Sequence, residues 1–303
     1  MISSFLDTRE VAEYLSINEK QVYSLIHNRG LPGTKITGKW LFPRHLVDRW
    51  IESGVADFPE EWSFAQRAQG LLLIAGSDDP LLVRLISLFR RRFTETIPLQ
   101  SRAGSTEGIL ALKRGLCHAA AVHLHPSGDA HQDADYLADH FDQRAVAVSM
   151  AVRTQGLLLP KGNPLGIHTL EDTLAGGRRW AGREVGTGTR LRLERELDRL
   201  GTDRSGFADD SPTLGSHMEV GVSVMKGQAD VGLAIQAVAE MLGLDFIPLF
   251  LERFDLVVYR DTFFQKEIQN FFGLLNTGEF TGIAAGLTGY DISGAGRILT
   301  ETI

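Results

Sequence analysis

The sequence has a single cysteine, Cys117, in 303 residues. An internal disulfide is therefore excluded, and so is any zinc site built on several thiolates. Cys117 lies beside an apolar strand pattern and reads as a buried residue. No apolar run approaches the roughly 18 residues of a membrane span, and the first ten residues carry Asp7, Arg9 and Glu10 in place of an apolar signal core. A cytoplasmic protein with no membrane part is expected. Positive charge is also in deficit: 31 Lys and Arg against 38 Asp and Glu give a net charge of −7, which argues against wholesale coating of nucleic acid. Catalytic signatures are missing too, with no Ser-His-Asp elbow, no nucleophilic-cysteine context and no evident carboxylate pair. An enzyme is not expected.

What is present is an ordinary globular composition, 43% hydrophobic and 23% charged, at a length that fits two or three domains. The charge is unevenly spread. Residues 16–45 hold five basic side chains (Lys20, Arg29, Lys35, Lys39, Arg44) and one acid (Glu19), which is +4 in an acidic chain. A basic island on an acidic body suggests one module that faces nucleic acid.

That island has readable local structure. Asp7 with Glu10 three residues on predicts a capped helix with Val11, Ala12 and Leu15 inside, and Asn18 with Gln21 predicts a second. Val22, Leu25 and Ile26 supply its inner face, and Gly30 with Pro32 stops it. Residues 34–42 read as a hairpin turning at Thr37-Gly38-Lys39, and Pro43 as the opening of a third helix through Trp50. This is a winged helix-turn-helix plan. The run Thr8, Glu10, Val11, Ala12, Leu15, Val22, Tyr23, Leu25, Ile26, Leu31, Pro32, Gly33, Trp40, Phe42, Leu46, Trp50 resembles the excisionase-like, MerR-type DNA-binding modules over residues 6–52. The resemblance implies that the second helix enters the major groove of double-stranded DNA. Asn18, Glu19, Lys20, Gln21 and Ser24 would then lie on or near its groove side, with Lys35, Lys39 and Arg44 placed for phosphates. A solvated helix surface accounts equally well for any one of them. Trp40, Phe42 and Trp50 read as core.

Residues 54–70 are polar, hold Pro59 and end in Gly70; they read as a linker between a DNA-binding domain at 1–53 and a body at 71–303, with 60–68 a candidate helix and Phe58, Trp62 and Phe64 available for packing. From Leu71 apolar strand patterns (71–75, 97–102, 118–123, 145–152, 157–159, 231–234, 246–250, 254–259) alternate with amphipathic helices. Such alternation predicts an α/β body of open, mostly parallel sheets, and its length predicts two lobes.

Residues 183–190, REVGTGTR, stand where a strand gives way to a helix. Gly186 and Gly188 admit a close ligand, Thr187 and Thr189 add hydroxyls, the helix N-terminus adds free N–H groups, and Arg183 offers a bidentate fork. The motif is neither a P-loop nor a dinucleotide fingerprint, because it lacks Gly-Lys-Ser/Thr and has Leu191 at the third glycine position. A plain Gly/Thr turn with a Thr cap fits the same residues. Two further Gly-Ser turns, Gly76-Ser77 and Gly104-Ser105, share the chemistry, and such turns gather at the carboxyl ends of strands.

These turns, with GSDDPLL, GSTEGILAL, GLLLPKGNPLGI, REVGTGTR, GQADVGLAI and ERFDLVV, resemble the type II periplasmic-binding-protein fold, in particular cytoplasmic domains related to molybdate- and tungstate-binding proteins. The resemblance implies one lobe of about 71–150 and 250–303, a second of 151–249, and crossing strands near 148–155 and 249–254. It implies ligand contacts from Ser77, Ser105, Arg183, Thr187, Thr189 and His217. Simple capping remains open for the two serines, as does a solvated or capping role for His217. Arg190 reads as an i,i+4 partner of Glu194. Asp78 and Asp79 sit in the first turn of a helix that should meet the ligand, so either they point away or the ligand carries a cationic or donor group. His123, His125 and His131, near Asp129, Asp133 and Asp135, read as a solvated loop and not a metal site.

The expectation is a ligand-responsive, homodimeric transcriptional regulator that binds double-stranded DNA and senses a small oxyanion, molybdate or tungstate, with no other cofactor. The alternative is an excisionase-type DNA-architectural or recombination accessory protein whose body serves only assembly.

Overall fold

The computed structural model describes residues 5–36, 38–53, 70–123, 141, 144–174, 177–184, 187–201 and 213–301. Residues 54–69 of the linker with their candidate helix, Gly186, and the histidines and acids at 125–135 lie outside the described residues. The chain divides into two compact units, residues 1–61 and 62–303.

The N-terminal unit holds β1 (Phe5–Leu6), α1 (Thr8–Tyr14), α2 (Glu19–Arg29), β2 (Thr34–Ile36), β3 (Lys39–Pro43) and α3 (Arg44–Ser53). Both helix starts are reciprocal capping boxes, Asp7 with Glu10 and Asn18 with Gln21, which satisfy N–H groups the helix itself leaves unpaired. Gly30 ends α2 at φ 65°, a left-handed cap that suits a residue without Cβ. Val11, Ala12, Val22, Leu31, Phe42 and Val47 make the core, with Trp40 and Trp50 packed against it. Two details differ from expectation. Pro43 closes β3, paired with Phe5, and does not open α3; β1 adds a third strand to the wing, in the order β1-β3-β2.

The second unit contains β4 (Leu71–Gly76), α4 (Pro80–Arg92), β5 (Ile97–Arg102), α5 (Gly104–Lys113), β6 (Ala119–Val122), β7 (Ala145–Leu159), β8 (Trp180–Arg183), α6 (Gly188–Arg199), β9 (Thr213–Leu214), α7 (His217–Met225), β10 (Val231–Ile235), α8 (Gln236–Leu242) and β11 (Asp245–Tyr259). After β11 come α9 (Arg260–Phe263), α10 (Lys266–Leu274), α11 (Gly278–Ala285), β12 (Tyr290–Asp291) and β13 (Ile298–Glu301). The sheet runs β5-β4-β6-β11-β7-β10-β8-β9, with β12 and β13 also on β7. Its two ends are parallel (β5-β4-β6 and β10-β8-β9), while β7 and β11 are antiparallel to their neighbours and traverse the middle. The parallel sheet of the expectation is thus split into two lobes, joined by one antiparallel pair.

β7 and β11 run through the crossing segments implied by the resemblance, near 148–155 and 249–254, and correct the pattern reading, which broke each into two strands. The polar residues Arg153, Thr154 and Gln155 are paired in register with Glu252, Leu251 and Phe250 and do not form a turn. Gly156 is not a turn glycine either: a Cβ there would lie 2.0 Å from the Ile247 carbonyl oxygen, so its role is close strand approach. One large apolar cluster packs α4, α7, α8, α10 and α11 on the sheet, and two smaller ones cover its remaining faces, built around Leu112, Val122 and Val257 and around Leu157, Trp180 and Leu193.

Candidate functional site

Glycine chemistry decides where the strands of the first lobe end. Gly76 has φ 129°, and a Cβ on it would lie 2.1 Å from the Ala121 carbonyl oxygen, so β4 ends hard against β6 only with glycine there. Ser77 follows, donating its N–H to Ala121 O at 2.8 Å and sharing a 2.8 Å hydrogen bond with the Ser105 hydroxyl of α5. The His123 N–H, just past β6, donates to Ser105 Oγ at 3.2 Å. The second lobe meets these groups directly. A Cβ on Gly104 would lie 3.6 Å from Thr187 Cγ2, and one on Gly188 would lie 3.1 Å from His123 Cδ2. The three Gly-Ser/Thr turns therefore gather at one place.

The six expected ligand residues differ in what their polar atoms are doing. Thr187 caps α6, accepting from the Arg190 N–H at 3.4 Å and donating to Glu184 O at 2.8 Å. Thr189 is buried and its hydroxyl accepts from Gln155 Nε2 at 3.3 Å. Ser77 and Ser105 are buried and bonded to each other. His217 opens α7, with Ser216 as its cap. Arg183 ends β8 with only 8% of its surface exposed, yet its Nε and Nη1 have no hydrogen-bond partner among the described residues. A buried donor left unmatched costs about 1–3 kcal/mol, so two on one guanidinium are unusual. Burial pushes the Arg183 pKa down, with Asp78 pulling in the opposite direction. Arg190 pairs with Glu194 at 2.6 Å.

Beneath these turns lies a buried ionic group that the sequence reading missed. Arg153, on β7, is fully enclosed. Its Nη1 donates to Asp79 Oδ2 at 2.5 Å, and its Nε and Nη2 donate to Glu252 Oε2 at 3.0 and 2.8 Å. Its Nη2 also lies 2.9 Å from His123 Nε2 and 3.2 Å from His217 Nε2. Tyr290 donates its hydroxyl to Asp79 at 2.8 Å, and Gln155 Nε2 donates to Glu252. Burial alone works against the Arg153 charge, but Glu252 and Asp79 outweigh it and raise the pKa. Both imidazoles are held well below their ordinary value, by burial first and by Arg153 next. The Tyr290 phenol is raised by burial and by Asp79. The group spans both lobes, since Asp79, His123 and Tyr290 lie with the first, His217 with the second, and Arg153 and Glu252 on the crossing strands. The one signal for it in the sequence was the pair of polar interruptions in two apolar runs.

The two aspartates that stood unexplained are accounted for. Asp79 caps α4, accepting from Leu81 and Leu82 N–H at 2.7 and 3.2 Å, while its other oxygen takes Arg153 and Tyr290. Asp78 pairs with Arg102 at 3.3 Å; burial raises its pKa and Arg102 opposes the rise. Of the proposed metal-like residues only His123 is described, and it belongs to the Arg153 group.

In the N-terminal unit, Lys20, Gln21 and Ser24 are exposed on α2, opposite buried Val22, and Lys35 and Lys39 are exposed on the wing strands. Asn18 and Gln21 spend part of their hydrogen-bonding capacity in the capping box, and Ser24 Oγ accepts from Asn28 at 3.1 Å. Arg44 is half-buried with its guanidinium 4.9 Å from the centre of the Tyr14 ring, so part of it is committed to the fold.

A family model described as "PBP superfamily domain" matches residues 86–276, well over half of the chain. The chain belongs to the PBP superfamily. A helix-turn-helix domain model matches residues 5–55, so a helix-turn-helix domain is fused ahead of the PBP-superfamily domain. The uncharacterized protein YvgK of Bacillus subtilis (strain 168) is 24% identical over 303 residues, covering 97% of each chain. A substrate-binding protein from Clostridium perfringens, solved with bound phosphate, is similar over 71% of this chain and 96% of its own, with TM-score 0.53 and 14% identity. The regulatory domain of CcmR from Synechocystis PCC6803, solved in complex with 2-PG, covers 71% of this chain and 97% of its own, with TM-score 0.52 and 14% identity. Both structural likenesses concern the fold. No helix among the described residues is long and apolar enough to cross a membrane.

Proposed function

We propose that this protein is a ligand-responsive DNA-binding regulator, in which the interlobe cleft of the PBP-superfamily domain closes on a small oxyanion and the helix-turn-helix domain binds double-stranded operator DNA as a homodimer. The observation that carries the reading is Arg183: a buried guanidinium with two donors unmatched among the described residues, at the end of β8 and close in sequence to the Thr187-capped N-terminus of α6. Ser77, Ser105, Thr189 and His217 complete the donor set, while Thr187 shapes the turn. An enzyme is disfavoured because the titratable groups gathered here are tied to one another and to Arg153.

Molybdate and tungstate are the ions to which the sequence resemblance points, and phosphate is the ion bound by one protein of similar fold. Closure would alter the spacing of the two DNA-binding heads by an energy no larger than the ligand's differential affinity for the open and closed forms. The test is thermal unfolding of the full chain with each of the three ions. An ion present at 100 times its Kd stabilises by about 2.7 kcal/mol. A rise in Tm with one ion, absent in Arg183→Ala, is the expected result. No rise with any of them at millimolar concentration removes the oxyanion reading.

A further inference from the structure

The tautomers of the two cleft histidines follow from Arg153, because every nitrogen of arginine is a donor. Arg153 Nη2 lies 2.9 Å from His123 Nε2 and 3.2 Å from His217 Nε2. Nη2 has two N–H groups and one serves Glu252, so the two Nε2 atoms share the other. A guanidinium accepts no hydrogen bond, so an Nε2–H would face only a donor, and in a neutral imidazole the proton then sits on Nδ1. Both rings are neutral, being buried beside the Arg153 charge. For His123 the Nδ1 proton has acceptors, the Arg253 carbonyl at 3.4 Å and the Glu252 carboxylate at 3.5 Å. For His217 it has none: Nδ1 is buried with no partner among the described residues.

Among the described residues, His217 Nδ1–H thus joins Arg183 Nε–H and Nη1–H as a third buried donor without a partner. The three lie on adjacent elements. Arg183 pairs with Leu214 between β8 and β9, and His217 comes three residues after Leu214. Buried N–H groups without a partner are rare in folded proteins, and three in one neighbourhood call for an acceptor with several oxygens.

Resting on the reading of the cleft as an oxyanion site, we propose that His217 binds the oxyanion through Nδ1–H, and that Arg153 is the positioning residue that fixes this tautomer from behind without touching the ligand. Arg153 is suited to the task because Asp79, Glu252 and the β7–β11 pairing hold it in place. The arrangement gives the anion a donor whose strength does not depend on protonating the ring. A histidine that bound its ligand as a cation would tighten binding as pH fell; this one would not.

The experiment uses the full chain, with molybdate, tungstate and phosphate each titrated by calorimetry and the ring nitrogens observed by 15N NMR. His217→Asn places an amide N–H near the Nδ1 position and gives up the contact with Arg153; His217→Gln does the reverse. The His217 signals, identified by their loss in the variants, are expected to show Nδ1 protonated in the free wild-type protein. His217→Asn should bind the anion within about threefold of wild type, and His217→Gln should lose about tenfold or more. Arg153→Lys should move the His217 proton toward Nε2 and weaken the anion in parallel.

A wild-type His217 protonated on Nε2 overturns the proposal. So do equal losses in Asn and Gln, which mark a packing role, and wild-type binding in both, which leaves Nδ1–H to a water molecule. Binding that survives Arg183→Ala removes the oxyanion-cleft reading itself, and the tautomer in the free protein still decides the part played by Arg153. If none of the three ions binds, the ligand role of His217 falls together with that reading.

Discussion

Arg153 and Arg183 are both buried in the same unit, and they occupy opposite conditions. Arg153 donates to two carboxylates and meets two imidazoles, so its charge is matched and its pKa is raised. Arg183 has two donors without a partner among the described residues, and burial drives its pKa down. The difference separates two uses of a buried cation. A saturated one holds a fold together; an unsaturated one is held in readiness by the rest of the fold. Evolution of stability alone would not retain the second kind, because it costs free energy in the absence of a partner.

The comparison breaks most visibly at Arg153. Arg153→Leu strands Asp79 and Glu252 as buried carboxylates without a counter-charge, with an expected loss of about 3–5 kcal/mol. For a unit of this size that is a drop of roughly 10 °C in Tm, read by calorimetry. Arg183→Leu should act in the other direction. It removes the orphaned donors, so the ligand-free protein should unfold within about 1 kcal/mol of wild type or at a higher temperature. A loss comparable to that of Arg153→Leu would show that Arg183 is structural and would collapse the distinction.

The imidazoles sharpen it further. His123 and His217 both face Arg153 and feel Arg183, His123 also lies beside Glu252 and Asp79, and the folded pKa values of both rings lie well below the ordinary one of about 6.5. Above that value both folded and unfolded states are neutral, and this part of the stability is intact. As pH falls below 6.5 the unfolded chain takes up protons that the folded protein refuses, so stability declines. The slope is up to about 1.4 kcal/mol per pH unit per histidine, and unfolding from pH 7.5 to 5.5 should reveal it. His217→Gln should remove about half of that slope. The smallest effect is expected in the other unit, where Lys35→Ala or Lys39→Ala should weaken operator binding at every sequence alike and reduce the salt slope by about 1.

How far the sequence disclosed this molecule depends on the range of each interaction. The capping boxes at Asp7 and Asn18 and the left-handed Gly30 are local signals, closed within three or four residues, and both helix starts were legible from them. The same holds for the Gly-Ser and Gly-Thr turns, whose residues mark the strand ends directly. β7 and β11 were misread because period-2 alternation treats Arg153, Gln155 and Glu252 as solvent-facing, and hence as breaks. They are buried only because partners arrive from 30 to 99 residues away: His123, His217, Asp79 and Glu252 around Arg153. No window along the chain contains that arrangement. The ligand candidates came from turn chemistry together with the family resemblance, and the residue proposed to orient one of them was invisible for the same reason.

Cys117 has one more use. Burial pushes its thiol up to about 12, so at neutral pH it presents almost no thiolate and should stay inert toward maleimides and other alkylating labels. The natural chain is then already silent to thiol chemistry without any mutation. A pair of cysteines placed on exposed positions, for instance at Lys113 in the first lobe and Arg199 in the second, would be the only sites to take a dye or a spin label. The lobe closure proposed above would then be read as a distance in solution, on the protein otherwise as it stands.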